Sequence, residues 1–314
     1  METRKIGSLE VTVVGLGGNN FGSRLDPDGT RAVVDAGLEA GINFIDTADV
    51  YGGTKSEEFL GRALEGRRER VVLATKFGMK IDEKRYGAKP AYVHRACEDS
   101  LRRLRTDRID LYQLHQPDPE TPIGDTLAAL DELVRAGKVR EIGCSNFSAD
   151  QIREAHELSR YGAACFVSVQ NEYSLLHREP EREVLPECER LGLAFIPYFP
   201  LASGVLTGKY LRGAPATKGR LSEPGRFRDQ FLNDRNRRIA EKLTDFAESR
   251  GHTLLELAFS WLLAHRVVAS VIAGATKPEQ VRSNAQSAGW RLAEEELAEV
   301  DRIASDEQDL ARAG

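Results

Sequence analysis

Four side chains with complementary proton chemistry stand at or near the ends of apolar runs in the first part of the chain. Asp46 follows NFI, Lys76 follows VLAT, His115 follows LYQL, and Tyr51 lies five residues after Asp46. A phenol is a poor acid at neutral pH, and a nearby ammonium such as that of Lys76 would lower its pKa. Asp46 would pair with Lys76, and His115 would hydrogen-bond a substrate oxygen. Together these groups predict protonation of a carbonyl oxygen during its reduction.

Each of these side chains also has a structural interpretation when it is taken alone. Asp46 can cap a helix or a turn, and Lys76 can be its structural ion-pair partner. Tyr51 can be a half-buried core aromatic residue, and His115 can be a buried histidine with satisfied hydrogen bonds. All four structural interpretations would have to hold together, so the sequence favours a shared catalytic role.

Polar residues also end several later apolar runs. Ser145 and Asn146 follow EIGC, Gln170 follows VSV, and Tyr198 follows AFIP. The C-terminal ends of the strands in a parallel barrel converge on one face, where active sites are built. The sequence therefore predicts one polar pocket lined by these residues and by the four described above.

The elements that would position these residues alternate along the whole chain, with a strand-like run and an amphipathic helix in roughly every 30 residues. This pattern predicts an α/β fold, a (β/α)8 TIM barrel that forms a single domain over residues 1–314. A Rossmann fold is disfavoured, because 15-GLGGNNFG-22 lacks a third glycine at the required step and leads into a loop. The predicted strands are 13–17, 43–46, 71–76, 109–115, 139–146, 166–172, 193–199 and 267–274. The predicted helices are 30–41, 55–66, 91–104, 125–138, 149–160, 181–192, 237–251 and 278–289, with Gly41, Gly137 and Gly192 as terminating residues.

Two additions to the barrel are predicted. Residues 3–11 alternate around Gly7-Ser8, which is typical of a β-hairpin ahead of the first barrel strand. A long loop rich in glycine and proline follows strand 7, over residues 203–232. The overlapping stretch 209–238 holds nine Lys and Arg residues against three Asp and Glu residues. It can be a solvated loop, but long loops inside compact domains are usually functional, and we favour a lid over an anionic ligand.

Composition excludes several other classes of protein. The 314 residues carry a formal net charge of −5, so there is no basic excess for nucleic acid, and no apolar run is long enough for a membrane span. The start METRKIGSLE lacks the apolar segment of a secretory signal, and we expect a cytoplasmic protein. Its cysteines, Cys97, Cys144, Cys165 and Cys188, are expected to be reduced thiols in or near the core. No metal site is expected, because no two of the six histidines have the spacing HxH or HExxH.

The candidate residues belong to longer stretches that are recognisable as a set: 46-DTADVYGGTKSEEFLGRAL-64, 73-LATKFG-78, 110-DLYQLHQPD-118, 142-IGCSNF-147, 200-PLASGVLTGKY-210 and 272-IAGATKPEQVRSNA-285. In their order and spacing they resemble the aldo-keto reductase superfamily over nearly the full chain. The resemblance implies the catalytic tetrad Asp46, Tyr51, Lys76 and His115. It further implies a barrel that binds NADPH, in preference to NADH, and passes hydride to the carbonyl carbon of a small aldehyde or ketone while the tyrosine protonates the oxygen.

The same resemblance implies which residues hold each part of the cofactor. The nicotinamide carboxamide would be bound by Ser145, Asn146 and Gln170, and Tyr198 would stack on the ring. The pyrophosphate-binding stretch comprises Leu201, Ser203, Gly204 and Lys209. The adenosine 2′-phosphate site comprises Gly274, Thr276, Lys277, Gln280 and Asn284. Gly18 and Asn19, in the loop after the first barrel strand, are further cofactor positions.

Three positions depart from the common pattern of the superfamily. Gln280 stands where many members carry arginine, Gly274 where many carry lysine, and Phe199 where a serine is often found. The first two weaken the preference for NADPH without removing it. The amides at the start of a helix suit a phosphate, and Lys277 adds the countercharge, so NADPH is the expected cofactor.

Other functions can be built on the same barrel. A redox sensor or regulatory subunit, such as the potassium-channel β subunits that share this barrel, would bind NADPH tightly and turn over slowly. An aldolase would use Lys76 to form a Schiff base, which leaves the stretch 272–285 unexplained. We therefore expect a reductase, with the sensor as the main alternative.

Substrate specificity is expected to lie in the loops 18–29 and 79–90 and in the tail after Trp290. Three aromatic side chains, Phe21, Tyr86 and Phe227, can each be a wall of the substrate pocket or an anchor of their own loop.

Overall fold

The computed structural model describes residues 1–159, 164–213 and 219–305. The end of the helix predicted over 149–160, residues 214–218 of the basic stretch and the last part of the tail lie outside the described residues. The described residues pack as two compact units. The first lies within Met1–Asn171, Pro180–Ile196 and Val267–Ala285, and the second within Glu172–Glu179, Pro197–Arg266 and Gln286–Gly314. That the chain is a single domain stays a prediction.

The N-terminal hairpin forms as predicted. Strands β1 (Thr3–Ile6) and β2 (Leu9–Thr12) pair antiparallel, and the turn between them places Gly7 at a φ of 56°. Glycine is required there for a second reason, since a Cβ atom on Gly7 would lie 2.8 Å from Glu141 Oε1. The same carboxylate oxygen accepts the amide of Ser8 at 2.8 Å and so ties the turn to a barrel strand.

Eight parallel strands of the first unit form one sheet. They are β3 (Val14–Gly17), β4 (Phe44–Asp46), β5 (Val72–Phe77), β6 (Ile109–Leu114), β7 (Val139–Ser145), β8 (Phe166–Gln170), β9 (Ala194–Phe195) and β10 (Val271–Gly274). Their order in the sheet is β10-β3-β4-β5-β6-β7-β8-β9. A parallel bridge between Phe195 in β9 and Val268, just before β10, joins the two ends of the sheet. This arrangement confirms the predicted α/β fold of the (β/α)8 class with its N-terminal hairpin.

Helices follow the strands of the first unit close to their predicted positions. Gly41, Gly137 and Gly192 have φ angles of 80°, 72° and 70°, the left-handed conformation that a helix-terminating glycine adopts. The helices that follow β4 and β5 pack closely at Gly61, where a Cβ atom would lie 2.6 Å from the carbonyl oxygen of Arg103. The helices are α1 (Pro27–Glu39), α2 (Lys55–Ala63), α3 (Pro90–Leu104), α4 (Ile123–Arg135), α5 (Ala149–Ser159), α6 (Val184–Leu191) and α10 (Pro278–Gln286).

The second unit is helical. It contains a 3-10 helix at Ala202–Thr207, then α7 (Arg226–Phe231), α8 (Asp234–Glu248), α9 (Leu254–Ala264) and α11 (Glu294–Ala304). Helix α9 begins with a capping box of Thr253 and Glu256. Its Trp261 is buried and donates a hydrogen bond to Asp301 Oδ1 of α11 at 3.0 Å.

Two differences from the sequence-based expectations concern the ends of the sheet. The strand predicted over 193–199 is only Ala194–Phe195, since Pro197 has no N–H to donate to a ladder and Phe199 has a left-handed φ of 50°. The strand predicted over 267–274 is assigned as Val271–Gly274. Helices α7, α9 and α11 were absent from the expected elements. Helix α7 lies within the predicted loop 203–232, and α11 occupies most of the described tail after Trp290.

The three aromatic side chains singled out in the loops, and the four cysteines, differ in how far they are buried. Phe21 is fully buried and Tyr86 and Phe227 are exposed. Cys97, Cys144 and Cys188 are free and buried. Cys165 is free but exposed, so the prediction that it lies in or near the core was wrong: it precedes β8 and is not part of a helix or strand.

Within the described ranges, no helix has the length and apolar character needed to cross a bilayer.

Candidate active site

A buried ion pair lies at the C-terminal ends of β4 and β5. Lys76 Nζ donates to Asp46 Oδ2 at 2.5 Å and to the carbonyl oxygen of Thr47 at 2.9 Å. Lys76 is 0% exposed and Asp46 is 2% exposed. Burial alone would lower the pKa of Lys76, but the Asp46 carboxylate and the Tyr51 hydroxyl raise it above its ordinary value. The lysine is therefore a fixed positive charge inside the first unit.

Tyr51 lies beside this charge at the start of a 3-10 helix, Tyr51–Thr54. Its ring centroid is 5.2 Å from Lys76 Nζ, and its ring meets that of His115 edge to face at 5.7 Å. Gly52 allows the turn, because a Cβ atom there would lie 2.6 Å from the carbonyl oxygen of Phe21. The half-buried phenol thus stands between an ammonium and an imidazole.

His115 follows β6 and completes the predicted tetrad. Its amide donates to the Phe77 carbonyl at 2.8 Å, which holds the backbone beside the end of β5. Burial, reinforced by the charge of Lys76, lowers the pKa of His115 well below its ordinary value, so the imidazole is neutral at neutral pH. Its Nδ1 atom is buried without a hydrogen-bond partner among the described residues.

The second oxygen of Asp46 is held by two amide side chains. Gln113 Nε2 and Gln170 Nε2 each donate to Asp46 Oδ1 at 3.1 Å, and Gln170 also donates to Gln113 Oε1 at 3.3 Å. The carboxylate therefore has partners on both oxygens, which fixes its orientation toward Lys76. Gln113 was missed in the sequence, although it lies two residues before His115 and so on the same face of β6.

Ser145 and Asn146 lie beside these groups at the end of β7. Ser145 Oγ donates to the Gln170 carbonyl at 2.6 Å, and Asn146 Nδ2 donates to the His115 carbonyl at 2.9 Å. Asn146 is exposed and has a left-handed φ of 62°. The backbone amide of Asn146 donates to Asn171 Oδ1 at 2.7 Å. Asn171, like Gln113, was missed in the sequence. The structure thus brings Ser145, Asn146 and Gln170 together with the tetrad.

A second group of predicted residues meets where β3 and β10 end. Gly18 donates its amide to the Asp46 carbonyl at 2.7 Å. A Cβ atom on Gly274 would lie 2.7 Å from Asn19 Oδ1, so the glycine is what lets this side chain approach β10. Asn19 Oδ1 is buried with no hydrogen-bond partner among the described residues. Any side chain at position 274 would require Asn19 to move.

The start of α10 carries the remaining residues of the first unit. Gln280 Oε1 accepts hydrogen bonds from the Thr276 amide at 2.8 Å and from Thr276 Oγ1 at 3.2 Å. Gln280 therefore closes the turn that leads into α10. Lys277 is exposed, and Asn284, one turn after Gln280, is buried.

The other predicted residues lie in the second unit. Tyr198 is half-buried and contacts Phe199 edge to face at 5.3 Å. After Leu201, Ser203 and Gly204 have φ angles of 56° and 98°, and such left-handed conformations turn amides into concavities that suit anions. Ser203 Oγ is buried without a partner among the described residues. Lys209 reaches back over the turn, since a Cβ atom on Gly204 would lie 2.8 Å from Lys209 Nζ.

The basic stretch 209–238 is tied in part to the second unit's own surface. Arg212 pairs with Asp245 and Glu248 of α8, both at 2.8 Å. The Arg220 guanidinium lies 5.6 Å from the centre of the Phe199 ring.

Among the residues with described positions, no group of three His, Cys, Asp or Glu side chains is arranged to hold a metal ion.

Comparison with known proteins places this geometry in a family. The model of the aldo/keto reductase family matches residues 13–305. The chain is 36% identical over 273 residues to a protein of Glycine max named probable aldo-keto reductase 1, covering 86% of this chain and 77% of that protein. It is similar to the solved structure of aldo-keto reductase AKR11C1 from Bacillus halodurans in its holo form, with 34% identity, a TM-score of 0.80 and 96% of each chain covered. This chain belongs to the aldo/keto reductase family.

Membership defines the general activity. Aldo-keto reductases are oxidoreductases that reduce carbonyl groups of small molecules with a nicotinamide cofactor, and the chain is an enzyme of this kind.

Proposed function

We propose that this enzyme is an NADPH-dependent reductase of aldehydes or ketones in which Tyr51 is the general acid. The observation that carries the proposal is the fully buried Lys76, bonded to Asp46 at 2.5 Å and 5.2 Å from the ring of Tyr51. The free cysteines fit a reducing compartment, and we propose the cytoplasm as its location.

Tyr51 would transfer its hydroxyl proton to the carbonyl oxygen as that oxygen gains negative charge. The buried ammonium of Lys76 stabilises the phenolate that remains, and a charge held in a desolvated site acts more strongly than one in water. Asp46 keeps the ammonium of Lys76 protonated and holds it in position, while Gln113 and Gln170 hold the Asp46 carboxylate in place.

His115 would orient the substrate. A neutral imidazole carries one N–H that can donate to the carbonyl oxygen without competing with Tyr51 as an acid. The depressed pKa of His115 keeps it neutral through the physiological range. Protonation would place a second positive charge near Lys76, so activity through His115 is expected to need the neutral form.

The residues present fit a nicotinamide cofactor. When bound, it supplies the hydride that the carbonyl carbon accepts. In the first unit, Ser145, Asn146 and Gln170 lie next to the tetrad and offer hydroxyl and amide groups for the carboxamide. The unpartnered Oδ1 of Asn19, above Gly18 and Gly274, is a further acceptor for the cofactor.

The phosphate groups would be held by loop backbone and by two lysines. In the first unit, Lys277 and Thr276 precede α10, with Gln280 and Asn284 on the helix, and we assign these residues to the 2′-phosphate that distinguishes NADPH from NADH. In the second unit, Tyr198 offers an aromatic face for the nicotinamide. The left-handed turn from Leu201 to Gly204, with Ser203 Oγ and Lys209, offers an anion site for the pyrophosphate.

The first experiment titrates the purified enzyme with NADPH and with NADH, followed by fluorescence, and then assays a panel of aldehydes. We expect tighter binding of NADPH and turnover of reactive aldehydes. Tight binding with no turnover on any carbonyl would instead support the sensor, and no binding of either nucleotide would contradict both. Tyr51→Phe is the matched control, because it should bind nucleotide like the wild type.

A further inference from the structure

A second carboxyl group lies in the segment that carries Asp46 and Tyr51. Asp49 stands between Asp46 and Tyr51 in 46-DTADVYG-52 and is 1% exposed. Its backbone amide donates to the carbonyl oxygen of Lys76 at 3.1 Å, so the residue is fixed beside the end of β5. Apart from the nearby amide of Val50, neither carboxyl oxygen has a hydrogen-bond partner among the described residues.

The positive charge that acts most strongly on Asp49, that of Arg103, is already engaged. Arg103 Nε donates to Glu57 Oε2 at 2.7 Å, and Thr75 Oγ1 donates to Glu57 Oε1 at 2.6 Å. Glu57 is therefore the satisfied carboxylate of this buried region. The titratable groups that act on Asp49 come from each element around it: Glu57 from α2, Lys76 from β5, Arg103 and Tyr92 from α3, and Tyr112 from β6.

A buried carboxylate without donors is costly, and a proton removes most of that cost. Burial first, and then the negative charge of Glu57, raise the pKa of Asp49 to about 8, against the opposing effects of Arg103, the Val50 amide and Lys76. Asp46 is equally buried but differs in its partners, because Lys76, Gln113 and Gln170 supply donors to both of its oxygens.

We propose that Asp49 is a positioning residue that stays protonated when Tyr51 releases its proton. The positive charge of Lys76 is then balanced by the carboxylate of Asp46 and not by a second carboxylate as well. This inference rests on the proposed function, because it takes Tyr51 as the acid. At alkaline pH Asp49 releases its proton to the solvent. The new negative charge beside Lys76 then holds the proton of Tyr51 more tightly, which favours reduction and opposes alcohol oxidation.

The test is the substitution Asp49→Asn, which preserves the shape of the neutral acid and cannot ionise. Reduction and oxidation rates at pH 7 should match the wild type within about twofold. At pH 9.5 the variant should oxidise an alcohol about three- to tenfold faster than the wild type, since a pKa difference of one unit changes the phenolate fraction tenfold. Asp150→Asn, which removes an exposed carboxylate, should follow the wild type at every pH.

Stability gives an independent readout. Between the usual value of 3.8 and about 8, the folded wild type keeps a proton that the unfolded chain releases. Wild-type stability therefore falls as pH rises through this window. The melting temperature of Asp49→Asn, relative to that of the wild type, should rise from pH 4 to pH 8 and then level off. A merely structural role would shift the two curves by a constant amount.

Infrared spectroscopy of the enzyme observes the proton directly. A carbonyl band from a protonated carboxyl group should be present at pH 7, absent at pH 10, and absent from Asp49→Asn at both. A loss of more than tenfold in activity at pH 7 by a folded Asp49→Asn, or no such band in the wild type, overturns the inference. Tyr51→Phe separates the two proposals: full activity in that variant removes the proposed function, whereas inactivity there with unchanged pH profiles in Asp49→Asn removes this inference alone.

Discussion

The tetrad in the first unit and the segment 198–209 in the second unit solve different physical problems. The tetrad stands at the ends of regular strands, and its central charges are buried and paired by side chains from β4, β5, β6 and β8. The segment 198–209 places Phe199, Ala202, Ser203 and Gly204 at positive φ and ends on an exposed lysine. The first region depends on the balance of buried charge and the second on backbone conformation. Substitutions that change charge should therefore damage the first, and substitutions that add a Cβ atom should damage the second.

The largest effect is expected from Lys76→Met. It leaves the Asp46 carboxylate buried without its countercharge, which should lower the free energy of unfolding by about 3–5 kcal/mol. It should also lower kcat by about a thousandfold or more, since Tyr51 loses the charge that stabilises its phenolate. Chemical denaturation and steady-state kinetics measure the two effects.

A double variant separates charge balance from packing. Asp46→Asn together with Lys76→Met removes both charges and should recover most of the lost stability but none of the activity. Lys277→Met, at an exposed position, serves as the control and should leave stability unchanged. A single Lys76→Met variant that loses less than about 1 kcal/mol would contradict the account of a tightly coupled pair.

The matched change in the second unit is Gly204→Ala. The φ of 98° at this position and the approach of Lys209 Nζ, 2.8 Å from the added Cβ, both oppose a side chain. Strain of about 1–2 kcal/mol should weaken NADPH binding about tenfold, while kcat at saturating cofactor stays within about twofold. Gly289→Ala should change neither, because φ is not positive there and the added Cβ would make only an ordinary contact with the Gln286 carbonyl oxygen, at 3.9 Å. A fall in kcat with unchanged NADPH affinity would erase the distinction between the two regions.

A smaller, selective effect is expected from Lys277→Ala. The lysine is exposed, so its charge is worth about 1 kcal/mol or less beside a phosphate. NADPH affinity should fall about fivefold and NADH affinity should stay the same, which titration of both nucleotides measures. Equal losses for both nucleotides would place this lysine away from the 2′-phosphate.

The smallest effect concerns the loop 79–90. Asp118 Oδ2 accepts the Ala88 amide at 2.7 Å and Thr121 Oγ1 at 2.8 Å, and so holds the loop that presents Tyr86. Asp118→Ala should raise the KM of bulky aldehydes about two- to threefold with little change in kcat, because the hydrogen bonds that it removes are partly replaced by bonds to water. Trypsin should cut faster at Lys80, Lys84 or Arg85. Unchanged KM and unchanged proteolysis would show that the loop is held by other contacts.

The tetrad region was predictable because its information is local and periodic. Asp46, Lys76 and His115 each end an apolar run, and the parallel arrangement of strands brings such ends together without further detail. The same alternation could have identified Gln113, two residues before His115. The hairpin and the glycine-terminated helices were predictable for similar reasons, since Gly7, Gly41 and Gly137 have conformations that glycine favours.

Features set by distant packing were not predictable. Helix α9 is apolar on nearly all sides, so it lacks the amphipathic period that marked the other helices. The approach of Asn19 to Gly274 joins residues far apart in the chain, and no local pattern signals it. The protonated state inferred for Asp49 depends on its burial and on the pairing of Arg103 with Glu57. Neither feature can be predicted from the motif DTADVYG.

The most direct test of the central claim compares Tyr51→Phe with the wild type in a single aldehyde reduction assay and an NADPH titration. The account predicts that kcat falls by about a hundredfold to ten-thousandfold, because the substitution removes a general acid, while the dissociation constant of NADPH stays within about twofold. Tyr86→Phe, at an exposed tyrosine, should leave both quantities unchanged. Near-wild-type kcat in Tyr51→Phe would contradict the assignment of the acid and, with it, the role given to Lys76.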